Sequence, residues 1–135
     1  MQRLSKIISA LLFVISASAL AVPNSDIETL PSGVRVEHVV LGTGATPGPN
    51  SMVTVHYRGT LLNGTEFDSS FKRNQPATFG LHQVIPCWTQ GVQKMKVGGT
   101  AKLNCPAETA YGSRNLPGIP AGSVLNFEIQ LLDSK

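Results

Sequence analysis

Three stretches of this chain alternate apolar and polar residues with a period of two, and one other stretch carries the longer period of a helix. From Met52 to Arg58, Val53, Val55 and Tyr57 share one face while Thr54, His56 and Arg58 share the other, the pattern of a half-buried antiparallel strand. Thr100 to Cys105 repeats it with Ala101, Leu103 and Cys105 inward, and Val124 to Leu132 with Leu125, Phe127, Ile129 and Leu131 inward. Gly33 to Leu41 puts Val34, Val36 and Val40 on one side, interrupted by His38. Thr65 to Phe67 and Ala77 to Leu81 read as shorter strands, with a polar bulge running from Asp68-Ser69-Ser70 to Gln75-Pro76 between them. Between Pro86 and Met95 the spacing changes, since Trp88, Val92 and Met95 fall on one helical face. Pro86 suits a first helical turn and Gly98-Gly99 stops the helix. Turn residues fill Gly42 to Asn50 and the Asn63-Gly64 pair, and Pro106 to Ser123 is a long loop. About five strands and one short helix define an α+β domain, a curved antiparallel sheet whose concave apolar face the helix covers.

The N-terminus reads as an export signal. Arg3 and Lys6 precede an apolar run from Ile7 to Ile15, broken by Ser9 and Ala10, and small residues then offer cleavage after Ala19 or Ala21. Cleavage after Ala21 divides the chain into a signal peptide at 1–21, an extended lead-in at 22–32 and a folded domain at 33–135. A membrane anchor would need about twenty uninterrupted apolar residues, and no cysteine follows the cleavage region to carry a lipid. The expected product is soluble and exported, to the periplasm in preference to the medium.

The chain has 135 residues, enough for one small domain, and 41% hydrophobic residues with nine prolines and thirteen glycines exclude disorder and a long coiled coil. Without Arg3 and Lys6, nine basic residues face eight acidic ones and they are scattered. No basic run is present to displace counterions from a phosphate backbone, which argues against nucleic acid.

Hydrolase, nucleotide and zinc motifs are missing. No serine lies in a Gly-x-Ser-x-Gly elbow, no Gly-rich loop ends in Lys-Ser or Lys-Thr, and His38, His56 and His82 lack metal-ligand spacing. His56 alternates with Tyr57 and faces away from it, as a structural histidine would. Seven aromatics remain beyond the signal, namely Tyr57, Phe67, Phe71, Phe79, Trp88, Tyr111 and Phe127. On composition alone, so few in a small β protein are core filling.

Five motifs change that balance. Val55-His56-Tyr57-Arg58-Gly59, Gly64-Thr65-Glu66-Phe67-Asp68-Ser69-Ser70, Val84-Ile85-Pro86-Cys87-Trp88, Ala110-Tyr111-Gly112 and Leu125-Asn126-Phe127 follow one another across Gly33 to Leu132. In that order they resemble the signatures of the FKBP-type peptidyl-prolyl cis-trans isomerases, especially bacterial exported members. The resemblance implies a half-barrel of five to six antiparallel strands around one short helix, with a shallow apolar pocket between them. It implies Trp88 as the pocket floor and Tyr57, Phe67, Val84, Ile85, Tyr111 and Phe127 as walls, with Phe79, Ala77, Leu116 and Ile119 also binding substrate. The Ile85 N–H and the Tyr111 hydroxyl would hold substrate carbonyls, and Asp68 would pair with Tyr57 and Arg73 near the rotating carbonyl.

The implied activity is rotation about X-Pro bonds of exported folding proteins, with no metal or organic cofactor. Proline-containing polypeptides are the expected partners and macrolides the expected inhibitors. A proline-binding chaperone of the same fold without turnover is the alternative, and a purely structural β domain a third. Ala77 and Leu116 stand where many relatives carry a larger aromatic and a histidine, so selectivity does not transfer. The short lead-in cannot form the N-terminal helical dimerisation module of larger relatives, so a monomer is expected. Cys87 replaces a glycine common before the tryptophan, at the start of the helix, while Cys105 points inward from the next strand. They are either bridged or two buried thiols; a bridge closing this loop would stabilise by about 3 kcal/mol in an oxidising compartment.

Overall fold

The computed structural model describes residues 26–135, so the expected signal at 1–21 lies outside the described residues. Seven strands form one open antiparallel sheet: β1 (Ile27–Thr29), β2 (Arg35–Val40), β3 (Met52–Leu61), β4 (Glu66–Ser69), β5 (Ala77–Gly80), β6 (Thr100–Cys105) and β7 (Leu125–Ser134). Their order is β1-β2-β6-β7-β3-β4, and β5 also pairs with β3. β4 and β5 share the same edge of β3, at Arg58–Thr60 and Met52–Val55 respectively. They are one edge strand interrupted by the short helix α1 (Ser70–Arg73), which is where the polar bulge falls in the sequence. A second helix, α2 (Pro86–Val92), packs on the apolar face. The class is α+β, as periodicity required.

The alternating faces sort as expected. Val53, Val55, Ala101, Leu103, Cys105, Leu125, Ile129 and Leu131 are all buried. Trp88, Val92 and Met95 meet them from the helix side and are also buried. α2 ends at Val92, short of Met95, because Lys94 N–H and Met95 N–H bond to the carbonyls three residues back, Gly91 and Val92. Those bonds tighten the last turn out of α-helical geometry. Gly91 is needed for close packing, since a Cβ there would lie 2.9 Å from the Leu103 side chain on β6.

Val40 departs from the expected pattern. The β2–β6 register shifts between His38 and Val40, and a one-residue bulge sends the next side chain to the other face, leaving Val40 exposed while Val34 and Val36 are buried. Residues 22–32 were expected only to lead into the domain. Within them, β1 pairs with β2 and Leu30 joins the core. Among the described residues no helix is long and apolar enough to cross a membrane.

Candidate active site

Between α2 and the sheet lies an open hollow of about 530 Å³. Each wall comes from a different element: Tyr57 from β3, Phe67 and Asp68 from β4, Phe79 from β5, Phe127 from β7, Val84 and Ile85 from the turn before α2, and Ala110 and Tyr111 from the long loop. Trp88, in the first turn of α2, forms the buried floor. Its indole meets Tyr57, Phe79 and Phe127 at centroid distances of 5.3, 5.5 and 5.3 Å, with planes 83–90° apart. These edge-to-face contacts each add to the area term of burial and hold the indole in one orientation. The indole N–H is buried and has no hydrogen-bond acceptor among the described residues.

Gly59 lets this wall close. A Cβ on it would come within 2.6 Å of the Phe67 ring and 2.9 Å of the Phe127 ring, which stack edge-to-face at 5.7 Å beside it.

One charged cluster stands on the rim. The Tyr57 hydroxyl donates to Asp68 Oδ2 at 2.5 Å, and Arg73 donates to Asp68 Oδ1 at 2.7 Å and to the Tyr57 oxygen at 3.1 Å. The Ser69 N–H also donates to Asp68 Oδ1. Burial works against the Asp68 carboxylate, but the hydrogen bonds from Tyr57 and Arg73 outweigh it and hold its pKa below the ordinary 3.8. Burial, and then the bond to Asp68, push the Tyr57 phenol up, so it stays a donor at neutral pH.

The sign for Asp68 follows directly. A depressed carboxyl pKa gives stabilisation that is complete above the unfolded-state value and is lost as pH falls through the folded-state value. Any activity that needs this cluster should therefore be level from neutrality down to the ordinary carboxylate range and fall only below it. A pH–rate profile of the wild-type protein checks this; a fall already at pH 6 would mean another group controls the rate.

The hollow gathers Tyr57, Phe67, Asp68, Phe79, Val84, Ile85, Trp88, Tyr111 and Phe127, all expected from the sequence. Arg73 lies on the rim, hydrogen-bonded to Asp68 and Tyr57. Ala77, Leu116 and Ile119 lie outside the lining. Ala77 is held opposite Val55 in the edge strand, and Leu116 and Ile119 exchange two backbone hydrogen bonds at 3.0 Å, with Ile119 turned into the core. Gln83, Pro86, Ala110 and Arg114 line the hollow without having been anticipated as binding residues. Ala110 and Pro86 stood inside two of the signature motifs; Gln83 and Arg114 carried no signal. The Ile85 N–H has no backbone acceptor among the described residues, leaving a donor at the helix entrance.

Cys87 and Cys105 are joined in a disulfide with Cα atoms 5.6 Å apart, inside the range a bridge requires. Both are fully buried. Cys87 and Gly91 face β6 from successive turns of α2, so covalent bond and close packing act on the same contact.

A half-barrel that cradles a helix and leaves an indole-floored hollow between them defines a class, and the sequence comparison names it. The chain belongs to the FKBP-type peptidyl-prolyl cis-trans isomerase family, whose pattern matches residues 44–132. It is 48% identical over 106 residues to the FKBP-type peptidyl-prolyl cis-trans isomerase FkpA of Aeromonas hydrophila, covering 78% of this chain and 40% of that one. It is 46% identical over 110 residues to the outer membrane protein MIP of Legionella longbeachae, covering 81% and 47%. The crystal structure of FkpA from Escherichia coli superposes with a TM-score of 0.79 at 43% identity, covering 82% of this chain and 52% of that one. A peptidyl-prolyl cis-trans isomerase from Pseudomonas syringae gives 0.76 at 34% identity, covering 88% and 86%. The chain thus spans 40% of the Aeromonas FkpA and 47% of the Legionella MIP.

Proposed function

We propose that this protein is a peptidyl-prolyl cis-trans isomerase that accelerates X-Pro bond rotation in exported folding proteins. The observation that carries the reading is the open aromatic hollow over Trp88, with the charged Asp68 and Arg73 on its rim. Rotation about an X-Pro bond faces a barrier of about 18–20 kcal/mol and takes tens of seconds uncatalysed. Midway through, the amide loses conjugation and its carbonyl becomes less polar. An apolar, water-poor site then favours the twisted form over either planar one, which is how binding lowers a barrier. The proline ring rests on the Trp88 face, the Ile85 N–H and Tyr111 hydroxyl hold substrate carbonyls, and Asp68, kept ionised by Tyr57 and Arg73, acts on the rotating carbonyl by its field. No proton moves, so Asp68 needs no acid–base role.

Isomerisation of a panel of X-Pro peptides tests the reading: folded protein should shorten the relaxation many-fold, and no acceleration would leave a proline-binding module in its place. Asp68→Ala should cost about tenfold in turnover, less than the 100-fold typical of a fully buried donor, because the carboxylate is 41% exposed and its field is partly screened. The same variant should keep its thermal midpoint within a few degrees. Unchanged turnover would remove Asp68 from the mechanism.

The same reading makes the protein an exported, periplasmic monomer whose hollow also takes macrolides in competition with proline peptides. The disulfide supports a site outside the cytosol, as does the name of the Legionella relative.

A further inference from the structure

The edge of β3 has a gap at the residue that matters most to the rim cluster. In an antiparallel ladder, alternate residues turn both N–H and C=O toward the same neighbour. Along this edge Val53 is opposite Phe79, Val55 opposite Ala77 and Gly59 opposite Asp68. At Tyr57 no strand residue stands opposite, because the chain leaves the sheet into α1 at Ser70. The Ser70 side chain fills the position. Its Oγ accepts from the Tyr57 N–H at 2.7 Å and donates to the Tyr57 carbonyl at 3.3 Å, so one hydroxyl does for Tyr57 what a partner residue's peptide would do. Ser70 is fully buried, leaving water no access to replace it.

A third contact completes the hub. His56 Nδ1 lies 2.8 Å from the same Oγ, and its ring stacks on Phe71 at 4.8 Å, 14° from parallel. A hydroxyl has one proton and two acceptor positions. In either direction of that proton the Oγ accepts from the Tyr57 N–H: directed at the Tyr57 carbonyl, it leaves His56 to donate from Nδ1; directed at His56, it leaves Nδ1 as the acceptor.

We propose that Ser70, oriented by His56, is a positioning residue for the Tyr57–Asp68–Arg73 cluster. Asp68 and Arg73 flank Ser70 in the chain and both bond to the Tyr57 hydroxyl; pinning Ser70 to the Tyr57 backbone fixes the separation of all three. The catalytic consequence rests on the isomerase reading above, whereas the hydrogen-bond hub stands without it.

Nitrogen-15 NMR of the wild-type protein at pH 8 should find His56 Nδ1 hydrogen-bonded, and amide exchange at Tyr57 should be as slow as at its strand-paired neighbours. An unbonded His56 Nδ1, or fast exchange at Tyr57, would overturn the hub. Ser70→Ala should then speed Tyr57 exchange selectively and lower kcat about fivefold, with KM changed less than twofold, the size of effect expected of a lost buried hydrogen bond that acts through other groups. Turnover within twofold of wild type in a folded Ser70→Ala protein would overturn the positioning role. If Ser70→Ala does not fold, the two wild-type signals decide. Absence of turnover in the wild type would sink the isomerase reading and leave those signals unaffected.

Discussion

Replacing Trp88 with alanine should abolish measurable prolyl isomerisation and lower stability by about 3–5 kcal/mol, the range for removing a buried aromatic. The indole is 4% exposed and is the common partner of Tyr57, Phe79 and Phe127, so its loss frees three rings at once. Against a total of about 5–15 kcal/mol for a domain, the variant could be largely unfolded. Trp88→Leu separates the two effects. Leucine refills part of the volume and should restore a cooperative unfolding transition, yet it lacks the flat face on which a proline ring rests. Denaturant unfolding and peptide isomerisation on the same samples check this. A folded Trp88→Leu protein with turnover close to wild type would show that the floor's shape is not what selects the twisted amide.

Removing the Cys87–Cys105 bridge has the second largest expected effect. Closing an 18-residue separation restricts the unfolded chain by about 3 kcal/mol. For a domain of about 100 residues, each kcal/mol shifts the thermal midpoint by about 4–8 °C, so reduction should lower it by more than about 10 °C. Because Cys87 precedes Trp88 in α2, turnover should fall at temperatures where the reduced protein is still folded. Thermal scans with and without reductant, repeated on a Cys87→Ala/Cys105→Ala variant, measure both effects. A shift below about 3 °C would mean that burial of Val92, Leu103 and Gly91 against one another already fixes the helix on the sheet.

Much of the hollow was legible because its walls sit in motifs that resemble those of the isomerase family. The alternation of β3 and β7 and the helical spacing of Trp88 with Val92 and Met95 put Tyr57, Phe127 and Trp88 on buried faces, and by themselves read as core. Ala77 and Ile119 were harder to place. Both are apolar and close in sequence to true lining residues, and apolar character marks burial without saying whether a residue faces a hollow or the core behind it. Arg114 and Gln83 are the converse, polar residues in turns, where no periodicity exists to report direction.

The chain's own pattern was enough to determine the class of fold, the strand at 100–105, the last strand to within two residues of its observed ends (read at 124–132, found at 125–134), and which face of α2 is buried, because those follow from residues a few positions apart. Only tertiary structure decided that β4 and β5 share one edge, that Val40 turns outward at a bulge, and that Ser70 takes the place of a strand partner for Tyr57. Those outcomes depend on which segments meet across the sheet, and hydrogen-bond registry between distant segments leaves no periodic trace in either of them.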